Sequence, residues 1–402
     1  MSTIGTDSIA DLFFQLNWSS EEARHTDAYA GLSVNLWRDL LPRRLKRELA
    51  DKRAGDQLNL SFSSDTLFAN GQSRKIHKLA RTQFDSSRIG STDLAPLSGR
   101  FYPKGVLKDV TGVFKANRQP FRCVEVQNGH LHVDLGHPLS DTPLSLSVSV
   151  GSVTPKSEER GGSLVNWIET ISEGVGMQAR WKRKPTDFFS GTPFRRIDES
   201  DDEIFYEKPR MVHHLDDAAL DMVRQFYGRF MRDEMRVLDL MSSWDTHLPF
   251  DLSYKQVAGV GLNRYELDKN AILSDRIVQD LNQYPTLNFP DDHFDIAVCT
   301  VSVEYLSDPG SVFAEVARTL RPEGTFLVVF SNRWFEPKAA AIWKELHEFE
   351  RMGLVLEYFH RAGVFGNLQT YSVRGLKRPR HDKYYGQLRF SDPVYAVWGR
   401  KM

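Results

Sequence analysis

The chain has 402 residues, and at roughly 150 residues per domain this length implies two or three domains and excludes a single small module. Hydrophobic residues make up 41% and charged residues 26%, the balance of a globular chain, which excludes disordered and collagen-like classes. With 52 Lys+Arg against 53 Asp+Glu the net charge is −1, so no global field draws in nucleic acid or an anionic membrane, and neither is expected as a partner.

The first zone, residues 1–152, is built from short alternating runs: Leu12–Leu16, Gln57–Phe62, Phe121–Val126, His130–Asp134 and Leu144–Val148. Period two with β-branched and aromatic residues predicts half-buried strands, mostly in antiparallel sheet. Asn128-Gly129 stands where a tight hairpin turn needs positive φ. Pro42–Leu49 reads as a short amphipathic helix, and Arg53–Gln57 as a turn leading into a strand. Asp7, Asp11 and Gln15 interrupt the apolar residues at the start, so no secretory leader is expected there. No run approaches the ~20 apolar residues of a membrane span. The two cysteines, Cys123 and Cys299, are too few for a disulfide framework and are expected as buried small hydrophobes; a cytoplasmic location follows as the expectation.

Residues 153–204 read as a connector, with Gly161, Gly162, Gly174, Gly176 and Gly191 and the charged run Asp198–Glu203. Trp167, Met177, Trp181, Phe188, Phe189 and Phe194 would be costly to leave in water, so the connector is expected to pack on a neighbour, as a lid for instance.

The third zone, residues 205–402, opens with a helix over Asp216–Arg232 and then alternates strands with helices. Arg236–Leu240, Val257–Gly261, Phe294–Cys299 and Gly324–Phe330 are predicted strands; Arg264–Leu273 and Pro309–Leu320 are predicted helices. That alternation predicts a mostly parallel, doubly wound, Rossmann-like α/β sheet. Ligands of such sheets bind outside the carboxyl ends of the strands, which directs attention to the residues that follow each one.

Leu287–Asp295 followed by Arg318-Thr319-Leu320-Arg321-Pro322-Glu323-Gly324 resembles the class I S-adenosylmethionine-dependent methyltransferases, particularly the type 11 branch, over about residues 206–375. The resemblance implies S-adenosylmethionine as cofactor and a small-molecule acceptor. It also implies Asp239 beneath the methionine end, Asp280 and Leu281 at the adenine edge, and Thr300 and Ser302 along the floor. Two features depart from the family pattern. Met241, Ser243 and Asp245 stand where glycines are usual, and Gly261 replaces the usual ribose-binding acid. Ser242 and Ser243, with Asn263 or Glu266 as acceptors for the diol, are expected to rebuild the site; the alternative is that Ser242 and Ser243 only cap a helix.

For catalysis, His214 with Asp216 is expected as base and orienter and Arg210 as a carboxylate clamp, the alternative being a plain helix start capped by Asp216. Tyr206, Trp244, Glu304, Tyr305, Asn332, Arg333 and Trp334 are the substrate-side candidates. No metal site is expected: His130 and His132 share a strand face without a nearby carboxylate, and His137 lies off it.

In the first zone, Pro42–Gln57 with Val133-Asp134-Leu135-Gly136-His137-Pro138-Leu139 resembles the SlyD-type branch of the FKBP-type peptidyl-prolyl isomerases over residues 9–152. The resemblance implies a β-rich α+β, FKBP-like domain that binds peptides or recruits a protein substrate. Trp18, Leu36, Trp37, Leu45, Phe62, Leu67 and Phe68 would form its aromatic pocket, or else a plain β-core. The rival to a methyltransferase is therefore an isomerase or chaperone-like peptide binder whose C-terminal fold is non-catalytic.

Overall fold

The computed structural model describes residues 2–64, 67–68, 76–89, 94–156 and 163–402; Gly161 and Gly162 lie outside them. The chain divides into two compact units, Met1–Phe188 with Glu345–Gly353 and Phe189–Lys344 with Leu354–Met402. The stretch read as a connector is thus shared between them.

The first unit holds β1 (Ser8–Ser19), β2 (Arg24–Val34), α1 (Arg43–Leu49), β3 (Gln57–Phe62), β4 (Ile76–Ala80), β5 (Phe101–Pro103), β6 (Pro120–Gln127), β7 (His130–Asp134), β8 (Leu144–Pro155) and α2 (Trp167–Ser172). Strands β2, β1, β8 and β3 pair in that order, all antiparallel. Burial alternates along β1, β3 and β8 as the period-two pattern requires. A second antiparallel sheet, β4-β7-β6-β5, closes over Tyr102, Val106, Leu107, Phe121, Cys123, Leu131 and Val133. Gln127 pairs with His130 across Asn128 (φ 50°) and Gly129 (φ 74°), the doubly positive turn that this dipeptide favours.

The residues proposed as an aromatic pocket are mostly core. Trp18, Leu36, Leu45 and Phe62 are buried, Trp37 is 52% exposed, and Phe68 stacks on His137 with ring centroids 3.8 Å apart. Trp18 Nε1 donates to Asp27 (2.8 Å), and its ring stacks on buried His25. Arg100 is buried 3.2 Å from the equally buried Glu350; burial raises the Glu350 carboxyl, a rise that the Arg100 charge opposes.

The second unit holds α3 (Asp202–Tyr206), α4 (Asp217–Tyr227), β9 (Arg236–Leu240), β10 (Gln256–Gly261), α5 (Arg264–Lys269), β11 (Asp275–Val278), β12 (Phe294–Thr300), α6 (Pro309–Thr319) and β13 (Leu320–Phe330). After these come α7 (Ala341–Glu345), α8 (Glu348–Ala362), β14 (Phe365–Arg374) and β15 (Val394–Lys401); α7 ends and α8 begins in residues assigned to the first unit. Strand order is β11-β10-β9-β12-β13-β15-β14, parallel except that β15 runs antiparallel to both neighbours.

Helix α4 stops at Tyr227 rather than Arg232, with Gly228 N donating to the Arg224 and Phe226 carbonyls at its end. Helix α5 stops at Lys269 because Asn270 turns extended there. The segment that carries the strongest family resemblance works as a staple. Arg318 donates to Glu315, to Asp291 and to the carbonyls of Leu287 and Phe289, tying the end of α6 to the entry of β12. Cys123 and Cys299 are both free and buried, as small hydrophobes would be.

Candidate active site

Chain direction along the sheet reverses about β9, whose neighbours β10 and β12 lead to opposite edges, and this switch point opens a crevice at the carboxyl ends. A pocket lies there, lined from β9 by Asp239, Met241, Ser242, Ser243 and Trp244, from β10 by Asn263 and Glu266, from β11 by Asp280 and Leu281, and from β12 by Thr300, Val301 and Ser302.

The loop after β9 turns without glycine. Met241 takes φ 54°, and Ser242 N then donates to the Val260 carbonyl (2.7 Å), so the loop runs on across the end of β10. This closeness explains Gly261: a Cβ there would drive into the Ser242 carbonyl, so the ribose-binding acid has no room. Ser242 Oγ donates to Asp239 Oδ2 (2.5 Å). Burial pushes the Asp239 carboxyl up to about 8; the Ser242 hydrogen bond opposes this rise and the Asp245 charge adds to it. Val301, a β-branched residue at φ 45°, is a second strained position on the same wall.

Around the end of β10 the polar groups hold one another. Asn263 caps α5, accepting from Glu266 N (3.1 Å), and its amide donates to the Tyr206 and Glu207 carbonyls. Glu266 accepts from Arg210 N (2.6 Å) through one oxygen and from Ser243 Oγ (2.5 Å) through the other. Each oxygen keeps a further lone pair, whereas the Asn263 amide is committed. Arg210 packs its guanidinium against Phe205, Tyr206 and Phe335, and its Nη1 is buried without a hydrogen-bond partner. Asp280 accepts from Asn282 N, Tyr227 and Thr300 share a 2.6 Å hydrogen bond, and Ser302 donates to the Thr300 carbonyl.

Of the three catalytic candidates, His214 and Arg210 line the pocket and Asp216 does not. Asp216 caps α4 through Ala219 N, accepts from Ser391 Oγ and Asp392 N at 2.7 Å, and sits 3.2 Å from Arg378, so both its oxygens are occupied. The predicted His214–Asp216 pairing is thereby corrected. The observed pair is His213 Nε2 with Asp245 Oδ2, 2.9 Å apart, with Trp244 stacked on His213. Burial lowers His214, and the neighbouring Arg210 charge lowers it further.

Among the substrate candidates Tyr206, Trp244 and Tyr305 line the pocket. Four lie off it. Glu304 is buried outside the lining, Asn332 is exposed, Arg333 pairs with Asp392 (3.0 Å), and Trp334 donates to Glu336 (2.9 Å). The next residue, Phe335, faces the pocket instead. His213, Asp245, His247, Asp202 and Asn282 are lining residues that the sequence reading leaves without a role. The Asp245-Thr246-His247 spacing in the loop after a strand was the available signal for two of them.

A family model described as a methyltransferase domain matches residues 244–328. The protein described as uncharacterized methyltransferase YcgJ of Bacillus subtilis (strain 168) is 31% identical over 104 residues, or 24% of this chain and 41% of that one. The chain therefore spans about two fifths of the length of this curated relative. The solved structure of YcgJ covers 47% of this chain and 99% of its own at 18% identity and TM-score 0.33. A SAM-dependent methyltransferase of Thermotoga maritima covers 46% and 89% at 14% identity and TM-score 0.35. Residues 244–328 of the second unit thus match a methyltransferase domain, and S-adenosylmethionine is the cofactor that this match implies.

Proposed function

We propose that the chain transfers a methyl group from S-adenosylmethionine to a small-molecule acceptor. The observation that carries this reading is the polar set at the switch point: buried Asp239, the free lone pairs of Glu266 and the unpartnered Nη1 of Arg210. These groups fit the cofactor. Arg210 suits its carboxylate, Asp239 its ammonium, Glu266 the ribose diol and Leu281 with Asp280 the adenine edge.

When bound, the cofactor supplies an electrophilic methyl carbon. The chain's own task is to align an acceptor and remove its proton. Tyr206, Trp244, Tyr305 and Phe335 form the aromatic wall for the acceptor. His214, kept neutral by burial and by Arg210, accepts the proton at a ring nitrogen. Calorimetric titration with S-adenosylmethionine and S-adenosylhomocysteine tests the reading. Saturable binding lost in Asp239→Ala supports it, and no heat with a folded chain ends it.

A second reading concerns the first unit, which joins α1 and a four-stranded antiparallel sheet to a second sheet inserted between β3 and β8. We propose as this second reading an isomerase-like or peptide-recruiting unit of the FKBP type. A prolyl isomerisation assay on the full chain, read against the uncatalysed rate, decides it. Among the described residues no helix is long and apolar enough to cross a membrane.

A further inference from the structure

On the wall of the pocket, three side chains from two segments converge. His213 precedes α4, while Asp245 and His247 lie two residues apart in the loop after β9. His213 Nε2 lies 2.9 Å and His247 Nδ1 3.1 Å from the same atom, Asp245 Oδ2, and the three donor atoms all fall within 4.8 Å of one another. We propose that these three atoms bind a divalent transition-metal ion of the zinc type.

The argument is geometric. Donors held about 2.0–2.2 Å from a tetrahedral ion stand about 3.3–3.6 Å apart, so the two contacts to Asp245 Oδ2 open by a few tenths of an ångström while the two imidazole nitrogens, within 4.8 Å of each other, draw together around the ion. Two imidazoles and one carboxylate are a donor set that borderline divalent ions favour, and three protein ligands leave positions open for an exogenous group.

The surroundings hold the donors in place. Asp245 Oδ1 accepts from the backbone N–H of His247 (2.9 Å), which turns Oδ2 toward the imidazoles, and Trp244 stacks on His213 at 4.4 Å. His247 keeps its left-handed conformation, φ 57°, with its Nδ1 held against Asp245 Oδ2. Arg224, 3.4 Å from Oδ2 and stacked over Phe250, is the competing cation and limits the affinity.

The site stands on this cluster alone. That the ion would meet an acceptor hydroxyl or thiol beside the methyl donor rests on the proposed methyl transfer. The test uses the full chain stripped with a chelator. Cobalt(II) is added and its visible absorption followed, and zinc binding is measured by calorimetry. One ion per chain is expected, with a cobalt spectrum of nitrogen and oxygen ligands. Asp245→Asn and His247→Gln are each expected to lose about tenfold or more in affinity.

The absence of a saturable cobalt band in the unaltered, folded chain overturns the proposal, as does binding that neither substitution weakens. S-adenosylmethionine titrated into the metal-free chain separates the two readings. Cofactor binding without cobalt binding overturns the metal site only, and the reverse overturns methyl transfer only.

Discussion

Two turns of this molecule solve the same conformational problem differently. The hairpin of β6 and β7 reaches positive φ with Asn128 and Gly129, residues that adopt it at little cost. The pocket loops of the second unit reach it with Met241, His247 and Val301, residues that adopt it only under strain. A turn that only connects strands can follow backbone preference. A turn whose side chains line a site follows the chemistry of those side chains, and the surrounding packing holds it there.

Four measurements would break or sharpen this contrast. The largest effect belongs to Asp239, a buried acid without counterpart in the hairpin. Its carboxyl stands near 8 in the native state against 3.8 in the unfolded chain, so between those values the unfolded chain ionises while the native state stays protonated. Its contribution is complete below about pH 4, falls as pH rises with a slope of up to about 1.4 kcal/mol per pH unit, and levels off above about 8. Urea unfolding across this range should show the decline in the native chain and lose it in Asp239→Asn.

Next comes Gly261→Asp, which restores the acid that the family usually carries. Because the Ser242 carbonyl occupies the space, the expected result is a loss of about 3 kcal/mol in the same urea assay, together with loss of cofactor binding. A stable variant with improved affinity would contradict the close approach of loop and strand.

The two smallest effects have opposite signs. Gly129→Ala meets open space, so its cost is conformational only, about 1 kcal/mol, with ligand affinity unchanged. Val301→Gly relieves a left-handed β-branched residue and should gain about 1 kcal/mol in stability while weakening ligand binding. If both destabilise equally, the strain assigned to the pocket wall is absent.

Much of the fold was legible because its strands carry strong local patterns. Arg236–Leu240, Val257–Gly261 and Gln57–Phe62 read directly as strands, with bounds close to those observed. Strands β14 and β15 escaped because Gly366, Asn367, Gly399 and Arg400 dilute their apolar runs. Helix ends were misplaced where one residue leaves the helical region, as Asn270 does after α5.

The site was legible to the extent that strand ends fix it: Asp239, Asn263, Asp280 and Thr300 line the pocket. Partnerships were not legible, because they depend on three-dimensional neighbours. Asp216 looks like a partner for His214 two residues before it, yet Ser391, Asp392 and Arg378, about 170 residues away, take its oxygens. Asp245 looks like a missing glycine until His213 is seen against it.

Lys338 has no exposed surface and sets its ammonium 3.3 Å from Asp198, 3.2 Å from Asp202 and 2.6 Å from the Ser200 carbonyl, while Asp202 also grips Arg196 and Asn282. A segment anchored this way cannot fray residue by residue, since any partial opening would strand a buried cation. In hydrogen–deuterium exchange, residues 198–206 should therefore open in a single concerted event together with residues 335–340. The pocket border formed by Asp202, Tyr206 and Phe335 would then behave as one mechanical part.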